Sequence, residues 1–196
     1  MKFVRSHDIN ASNGTVSKDL VRRIYGLFRS SEFADKLITE YGVFSKEGYD
    51  SNFRQWLAAK LPNQLLPIYH VLNGDVSKKK ILDLGCGSYA GTYESIEFNP
   101  RYYEPWLCRT LLELGAHPIG IDIGDLDEEI FEHETLNMLS LNSLGLFMDN
   151  SIDVAHADLL YDSPTLERMN GCDLRELLIP QLERIVKPDG YFIEGM

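Results

Sequence analysis

The stretch Lys80-Ile81-Leu82-Asp83-Leu84-Gly85-Cys86-Gly87-Ser88-Tyr89-Ala90-Gly91 constrains this chain more than any other. Its apolar run, Ile81, Leu82 and Leu84, breaks at once into glycines at 85, 87 and 91, which predicts a buried strand ending in a tight backbone turn. Glycine carries no Cβ to hold a ligand off, and a strand turning into a helix leaves backbone N–H groups unpaired, so the turn reads as a cofactor cradle. A dinucleotide cradle needs G-x-G-x-x-G and an acid about 20 residues further on. Here the third glycine comes one position late, and the next strand-end acid, Asp122 in Gly120-Ile121-Asp122-Ile123-Gly124, lies well beyond that spacing. A nicotinamide-dependent oxidoreductase is therefore disfavoured.

An acid, Asp83, stands two residues before the first glycine. Asp83-Leu84-Gly85-Cys86-Gly87 resembles the first motif of the class I S-adenosylmethionine-dependent methyltransferases, whose turn wraps the methionine end of the cofactor. The resemblance continues through Gly120 to Asp122 as the second-strand acid, and through Asp149-Asn150-Ser151-Ile152-Asp153-Val154 as the start of the fourth strand. It ends in Leu178 to Ile193, which looks like the family's helix, K-P-D-G turn and fifth strand. These stretches stand in the family's order and cover about residues 78 to 196. One glycine motif alone would be unspecific.

The resemblance implies S-adenosyl-L-methionine as cofactor, with Asp83, Gly85, Cys86 and Gly87 at its methionine end and Asp122 and Ile123 at the ribose. Asn137 and Met138 fall where the family holds the adenine, and an Asn oxygen can accept a hydrogen bond from its amino group. Asp122 is also legible by itself: an ionised carboxylate at a strand end offers two oxygens to a ribose diol. The exit of the fourth strand should lie nearest the transferred methyl, with Ala157 leaving space there. His156 and Asp158 are the candidate catalytic residues. Asp158 aligns with the position where amino- and small-molecule methyltransferases often keep Asp or Asn. His156 has the intrinsic pKa of a general base, although a histidine inside an apolar strand also fits a satisfied core residue. The Asn/Asp-Pro-Pro-aromatic signature of enzymes acting on base or amide nitrogen is missing.

Composition sets outer limits. A chain of 196 residues, 44% hydrophobic, suits one domain with a substantial core and room for an appended subdomain. No apolar run approaches a membrane span, and Met1 to Thr15 is polar without a signal-like core, so a cytoplasmic location and no membrane partner are expected. Cysteines 86, 108 and 172 are odd in number and lack C-x-x-C spacing, which indicates reduced thiols and no metal. A net charge of −11 disfavours nucleic acid, whose affinity comes mainly from Lys and Arg neutralising phosphates. The acceptor is expected to be a small molecule or a protein.

In chain order, residues 1–16 read as a polar arm, loose unless it docks. Residues 17–76 read as a helical cap: a helix capped by Ser17, a second starting near Ser30 and ending near Gly42, then a short helix from Asn52 to Lys60. Pro62 is expected to interrupt that helix before an apolar helical pattern resumes from Leu65 to Leu72. The cap either packs plainly on the sheet or forms a wall over the acceptor site. Residues 77–196 form the cofactor-binding core. After Gly91 come Tyr93, Phe98, Tyr102 and Tyr103, either substrate contacts or cover for a greasy edge. A helix from Glu104 to Leu114, a strand from Pro118 to Ile123, a strand-like His133 to Leu139 and a fourth strand from Ile152 to Leu160 follow.

The expected fold is α/β, a doubly wound, mostly parallel Rossmann-like methyltransferase sheet of order 3-2-1-4-5 with an N-terminal helical cap, stopping short of the family's last two strands. An uncovered last strand favours association, which points to a homodimer. The expected function is methyl transfer from S-adenosyl-L-methionine to a small-molecule or protein acceptor. The alternative is a non-catalytic module that binds the same cofactor for regulation or partner binding.

Overall fold

In a computed structural model of the chain, which describes residues 1–9, 16–42, 49–88, 102–140, 142–158, 160 and 171–195, the apolar run before the glycines forms the expected buried strand. The strands are β1 (Lys2–Arg5), β2 (Lys80–Leu84), β3 (His117–Asp122), β4 (Glu132–Thr135), β5 (Ile152–Ala157) and β6 (Val186–Glu194). The helices are α1 (Lys18–Leu27), α2 (Ser31–Tyr41), α3 (Ser51–Val71), α4 (Trp106–Glu113) and α5 (Gly171–Ile185). The strands make one six-stranded sheet ordered β1-β6-β5-β2-β3-β4, and every pairing is parallel. Its β4-β3-β2-β5-β6 portion is the 3-2-1-4-5 order expected. The chain thus has a Rossmann-like, doubly wound α/β fold.

Alternation along the strands sorts side chains onto two faces. Ile81, Val154 and Ile193 face a layer built by α1 to α4, through Ile24, Leu37, Leu57, Leu65 and Leu107 among others. Leu82, Leu84, Ala155 and Phe192 face α5, through Leu174, Leu178, Leu182 and Ile185, together with Leu144 and Phe147. Each fully buried leucine removes enough apolar surface from water to contribute about 1.5–3 kcal/mol. With both faces covered, the central strands read as near-continuous apolar runs.

The arm docks. Lys2 to Arg5 pair with Tyr191 to Glu194, and the Phe3 ring meets Phe192 edge-on at 5.5 Å. The Met1 ammonium donates to the Pro188 carbonyl at 3.2 Å. The β6 edge on which the homodimer expectation rested is therefore paired by the chain's own N-terminus. Residues 10–15 lie outside the described residues.

Helix starts and stops follow local chemistry. The Ser17 hydroxyl accepts the Leu20 N–H at 3.2 Å, and the Asp50 carboxylate accepts the Phe53 N–H at 2.8 Å. Pro62 does not interrupt the cap, because α3 runs unbroken through both Pro62 and Pro67. Each proline deletes one backbone hydrogen bond at a cost of about 3 kcal/mol. Phe53, Leu57, Leu61, Leu65 and Ile68, all buried along α3, offset that cost. The helix ends with Asn73 and Gly74 at positive φ, the Gly74 N–H reaching back to the Tyr69 carbonyl at 2.7 Å.

Two strands are shorter than the sequence pattern suggested: β4 stops at Thr135, and β5 stops at Ala157. Conversely, Lys187-Pro188-Asp189-Gly190 is not a separate turn but a bulge inside β6. There β6 advances from Val186 to Tyr191 while β5 advances only from Ile152 to Val154. Lys187 anchors the bulge by donating to Asp153 at 2.7 Å.

Candidate functional site

The glycine turn sits at the carboxyl end of β2, where the sheet's order reverses between β3 and β5, the place at which open α/β sheets hold ligands. Gly85 and Gly87 adopt φ values of +72° and +89°, which side-chain-bearing residues rarely do. The N–H groups of Gly85 and Cys86 both reach the Ile121 carbonyl, at 2.8 and 3.0 Å. The next N–H, that of Gly87, goes to the Asp122 carboxylate at 2.9 Å. Asp122 takes a second backbone N–H, from Gly124, on its other oxygen at 2.9 Å. A carboxylate offers about four lone-pair sites, so two remain after these bonds. Asp122 thus clamps the turn and keeps acceptor capacity.

Asp83 and His156 oppose each other in the β2–β5 register and both face the layer of α3 and α4. The Asp83 Oδ1 lies 2.7 Å from His156 Nδ1, and both side chains are buried. In the neutral imidazole opposite an Asp83 carboxylate, Nδ1 carries the hydrogen and Nε2 the lone pair. Nε2 has no hydrogen-bond partner among the described residues. The other Asp83 oxygen faces the Cys108 thiol at 3.8 Å.

Asp158 follows β5 directly, half-buried, and accepts a hydrogen bond from the Gln64 side chain of α3 at 2.7 Å. Two adjoining cavities meet around this contact. A recess of about 40 Å³ is lined by Asp83, Gly85, Cys86, Glu104 and Asp158. A chamber of about 510 Å³ is lined by Ser6, Trp56, Lys60, Gln64, Tyr102, Tyr103, His156 and Asp158, among others. Trp56, Lys60, Gln64 and Asp158 border both cavities. The cap is therefore both a packed layer and a wall. Tyr102 both packs on Phe53 and Trp56 and lines the chamber, whereas Tyr93 and Phe98 fall outside the described residues.

Below the recess lies a buried ionic group. Arg109 binds Glu129 through Nε at 3.0 Å and Nη2 at 2.5 Å, and also binds Glu104, which in turn accepts the Tyr49 hydroxyl at 2.7 Å. Burial alone would lower the Arg109 pKa, but the hydrogen bonds and charges of Glu129 and Glu104 outweigh it and raise it. The group holds the segment before α4 against the turn: a Cβ on Gly87 would stand 2.0 Å from the Tyr103 carbonyl oxygen.

Burial pushes the thiols of Cys86 and Cys108 up, so both stay protonated and weakly nucleophilic near neutral pH. The side chain of Cys172 lies outside the described residues. Among the described residues no group of three or more His, Cys, Asp or Glu is placed to hold a metal ion, and no helix is long and apolar enough to cross a membrane.

The structure brings Asp83, Gly85, Cys86, His156 and Asp158 to the walls of the two cavities, while Gly87 and Asp122 meet each other in the turn and line neither. Ile123, Asn137, Met138 and Ala157 also line neither cavity. Ile123 is exposed, and Asn137 is exposed with its side-chain oxygen accepting the Leu139 N–H at 3.0 Å. Met138 and Ala157 are buried on the α5 face, and the Ala157 carbonyl accepts the Gly195 N–H at 2.6 Å.

Compared with models of known families and with curated proteins, the chain matches none.

Sequence reasoning did not single out Lys60, Gln64 or Glu104 as site residues. The signal for Lys60 and Gln64 was their spacing of four: once α3 is continuous, they share one helix face with Trp56. Glu104 lies five residues before Arg109, but its other partner, Tyr49, stands on a distant segment that no local window joins to it.

Proposed function

We propose that this chain is an S-adenosylmethionine-dependent methyltransferase acting on a small-molecule or protein acceptor. The observation that carries the reading is the clamp between Asp122 and the Gly87 N–H, at the sheet's switch point and in the turn whose Gly85 and Cys86 line the recess. Of the residues present, Asp122 retains acceptor capacity for a ribose diol and Gly85 and Cys86 line the recess, while the Tyr103 carbonyl takes the space beside Gly87. When bound, S-adenosylmethionine supplies an electrophilic methyl group on a sulfonium. The chain's own part is then to hold the acceptor in line, and such positioning supplies much of the rate enhancement in reactions of this kind. The wall formed by Trp56, Lys60 and Gln64 orients the acceptor and limits water at the carboxyl ends of β2 and β5.

Calorimetric titration with S-adenosylmethionine, S-adenosylhomocysteine and NAD in parallel tests this reading. Micromolar binding of both sulfur nucleotides and none of NAD is the expected result. Failure of a folded protein to bind either sulfur nucleotide would sink the proposal. Binding without turnover on any acceptor would favour the non-catalytic module instead.

A further inference from the structure

We infer that the chamber under α3 accepts a small phenol and that His156, oriented by Asp83, is the base that takes the phenol's proton; this deepens the methyltransferase reading and rests on it. The inference starts from the two nitrogens of one imidazole. Nδ1 is committed to Asp83 at 2.7 Å, Nε2 has no partner among the described residues, and His156, its side chain almost wholly buried, is one of the residues that line the chamber. An imidazole held in this way by a carboxylate presents a single basic site in a fixed direction.

A base is needed only by an acceptor that arrives protonated. A phenol, with a pKa of about 10 as in tyrosine, lies within reach of an imidazole, whereas an aliphatic alcohol does not. An ammonium has a comparable pKa; Asp158 would attract it and Lys60, which has no carboxylate partner among the described residues, would repel it, so benzylamine is an arm of the test. The Lys60 ammonium attracts the phenolate as it forms. Among the acids nearby, Asp83 is bound to His156 and Glu104 to Tyr49 and Arg109, while Asp158 accepts from the neutral Gln64 amide and keeps its charge. Trp56 and Tyr102, 4.8 Å apart and perpendicular, with Tyr103 beside them, supply the apolar surface on which a flat ring packs.

In the step, the phenolic O–H proton passes to Nε2. The oxygen's electron pair forms the new O–CH3 bond as the donor's C–S bond breaks and leaves its pair on sulfur. Asp83 acts through His156 and is a positioning residue.

The test compares phenol with 4-nitrophenol, which is already ionised at the assay pH, and with benzylamine. Replacement His156→Asn should slow methylation of phenol by about 10²–10⁴-fold, the usual contribution of a general base, and slow that of 4-nitrophenol far less. Asp83→Ala should lower kcat on phenol with KM little changed. Two readouts do not depend on turnover. Quenching of Trp56 fluorescence by phenol without cofactor should report chamber binding, and 15N NMR of the imidazole should show hydrogen on Nδ1, lost in Asp83→Ala. Equal losses on both phenols, methylation of benzylamine but neither phenol, or a hydrogen on Nε2 would each overturn the inference. Absence of S-adenosylmethionine binding would remove the methyltransferase reading, and the fluorescence and NMR readouts would then still decide whether chamber and dyad exist as described.

Discussion

The Asp122 carboxylate holds the Gly87 N–H at 2.9 Å, so the acid that ends β3 fixes the shape of the glycine turn that ends β2. A ribose contact would be a second task for a residue that already has a structural one. Asp122→Ala should therefore do two things. It leaves two part-buried N–H groups unpaired, which should cost about 1–3 kcal/mol in urea unfolding. It should also weaken S-adenosylhomocysteine binding by calorimetry. Loss of stability with unchanged affinity would clear Asp122 of any role at the ribose.

Gly87→Ala should be among the most damaging single changes in the chain. The added Cβ meets the Tyr103 carbonyl at 2.0 Å, and φ is +89°. The backbone penalty alone is about 1–2 kcal/mol, before the segment ahead of α4 is displaced. The opposite result is expected at Gly26 in α1, where an added Cβ meets nothing within 4 Å. Gly26→Ala should stabilise the protein by about 0.5–1 kcal/mol. Thermal unfolding of both variants checks the contrast.

Arg109 is 1% exposed and sits between two buried carboxylates. Arg109→Leu fills its volume but leaves Glu104 and Glu129 without a counter-charge. The expected loss is about 3–5 kcal/mol, the usual consequence of breaking a buried ion pair from one side. If denaturant unfolding shows less than 1 kcal/mol, the triad contributes no more than a surface ion pair does.

Tyr41 of α2 donates to Glu113 of α4 at 3.1 Å. Burial, then the Glu113 hydrogen bond and charge, push its phenol up to about 12. The unfolded phenol titrates near 10, about its ordinary value. A raised pKa means that the contact's stabilisation is complete below the unfolded value and is lost as pH rises toward the folded one. Stability measured from pH 9 to pH 12 should thus fall more steeply in the wild type than in Tyr41→Phe. Parallel curves would show that Tyr41 does not contribute.

Local pattern made the framework of the fold legible. The apolar run into glycines at 85 and 87, the apolar strand before Asp122, and the turn before Ile152 each declare themselves within a few residues. They declare themselves because strand periodicity, glycine freedom and turn chemistry are short-range properties. The phase of Leu57, Leu61, Leu65 and Ile68 across Pro62 and Pro67 was also present, and it outweighs the prolines that seemed to divide α3.

Local chemistry thus set the order of the elements, the faces they bury, and the turn at the carboxyl end of the central strand. The tertiary structure decided the rest. It placed β1 on β6, Gln64 on Asp158, Glu104 between Tyr49 and Arg109, and Asp83 on His156. All but the Glu104–Arg109 pair join segments far apart in the chain, and their pairing depends on the register and packing of the whole sheet, which no local window encodes. The chamber, whose walls come from α3, β5 and the segment before α4, is a product of that packing alone.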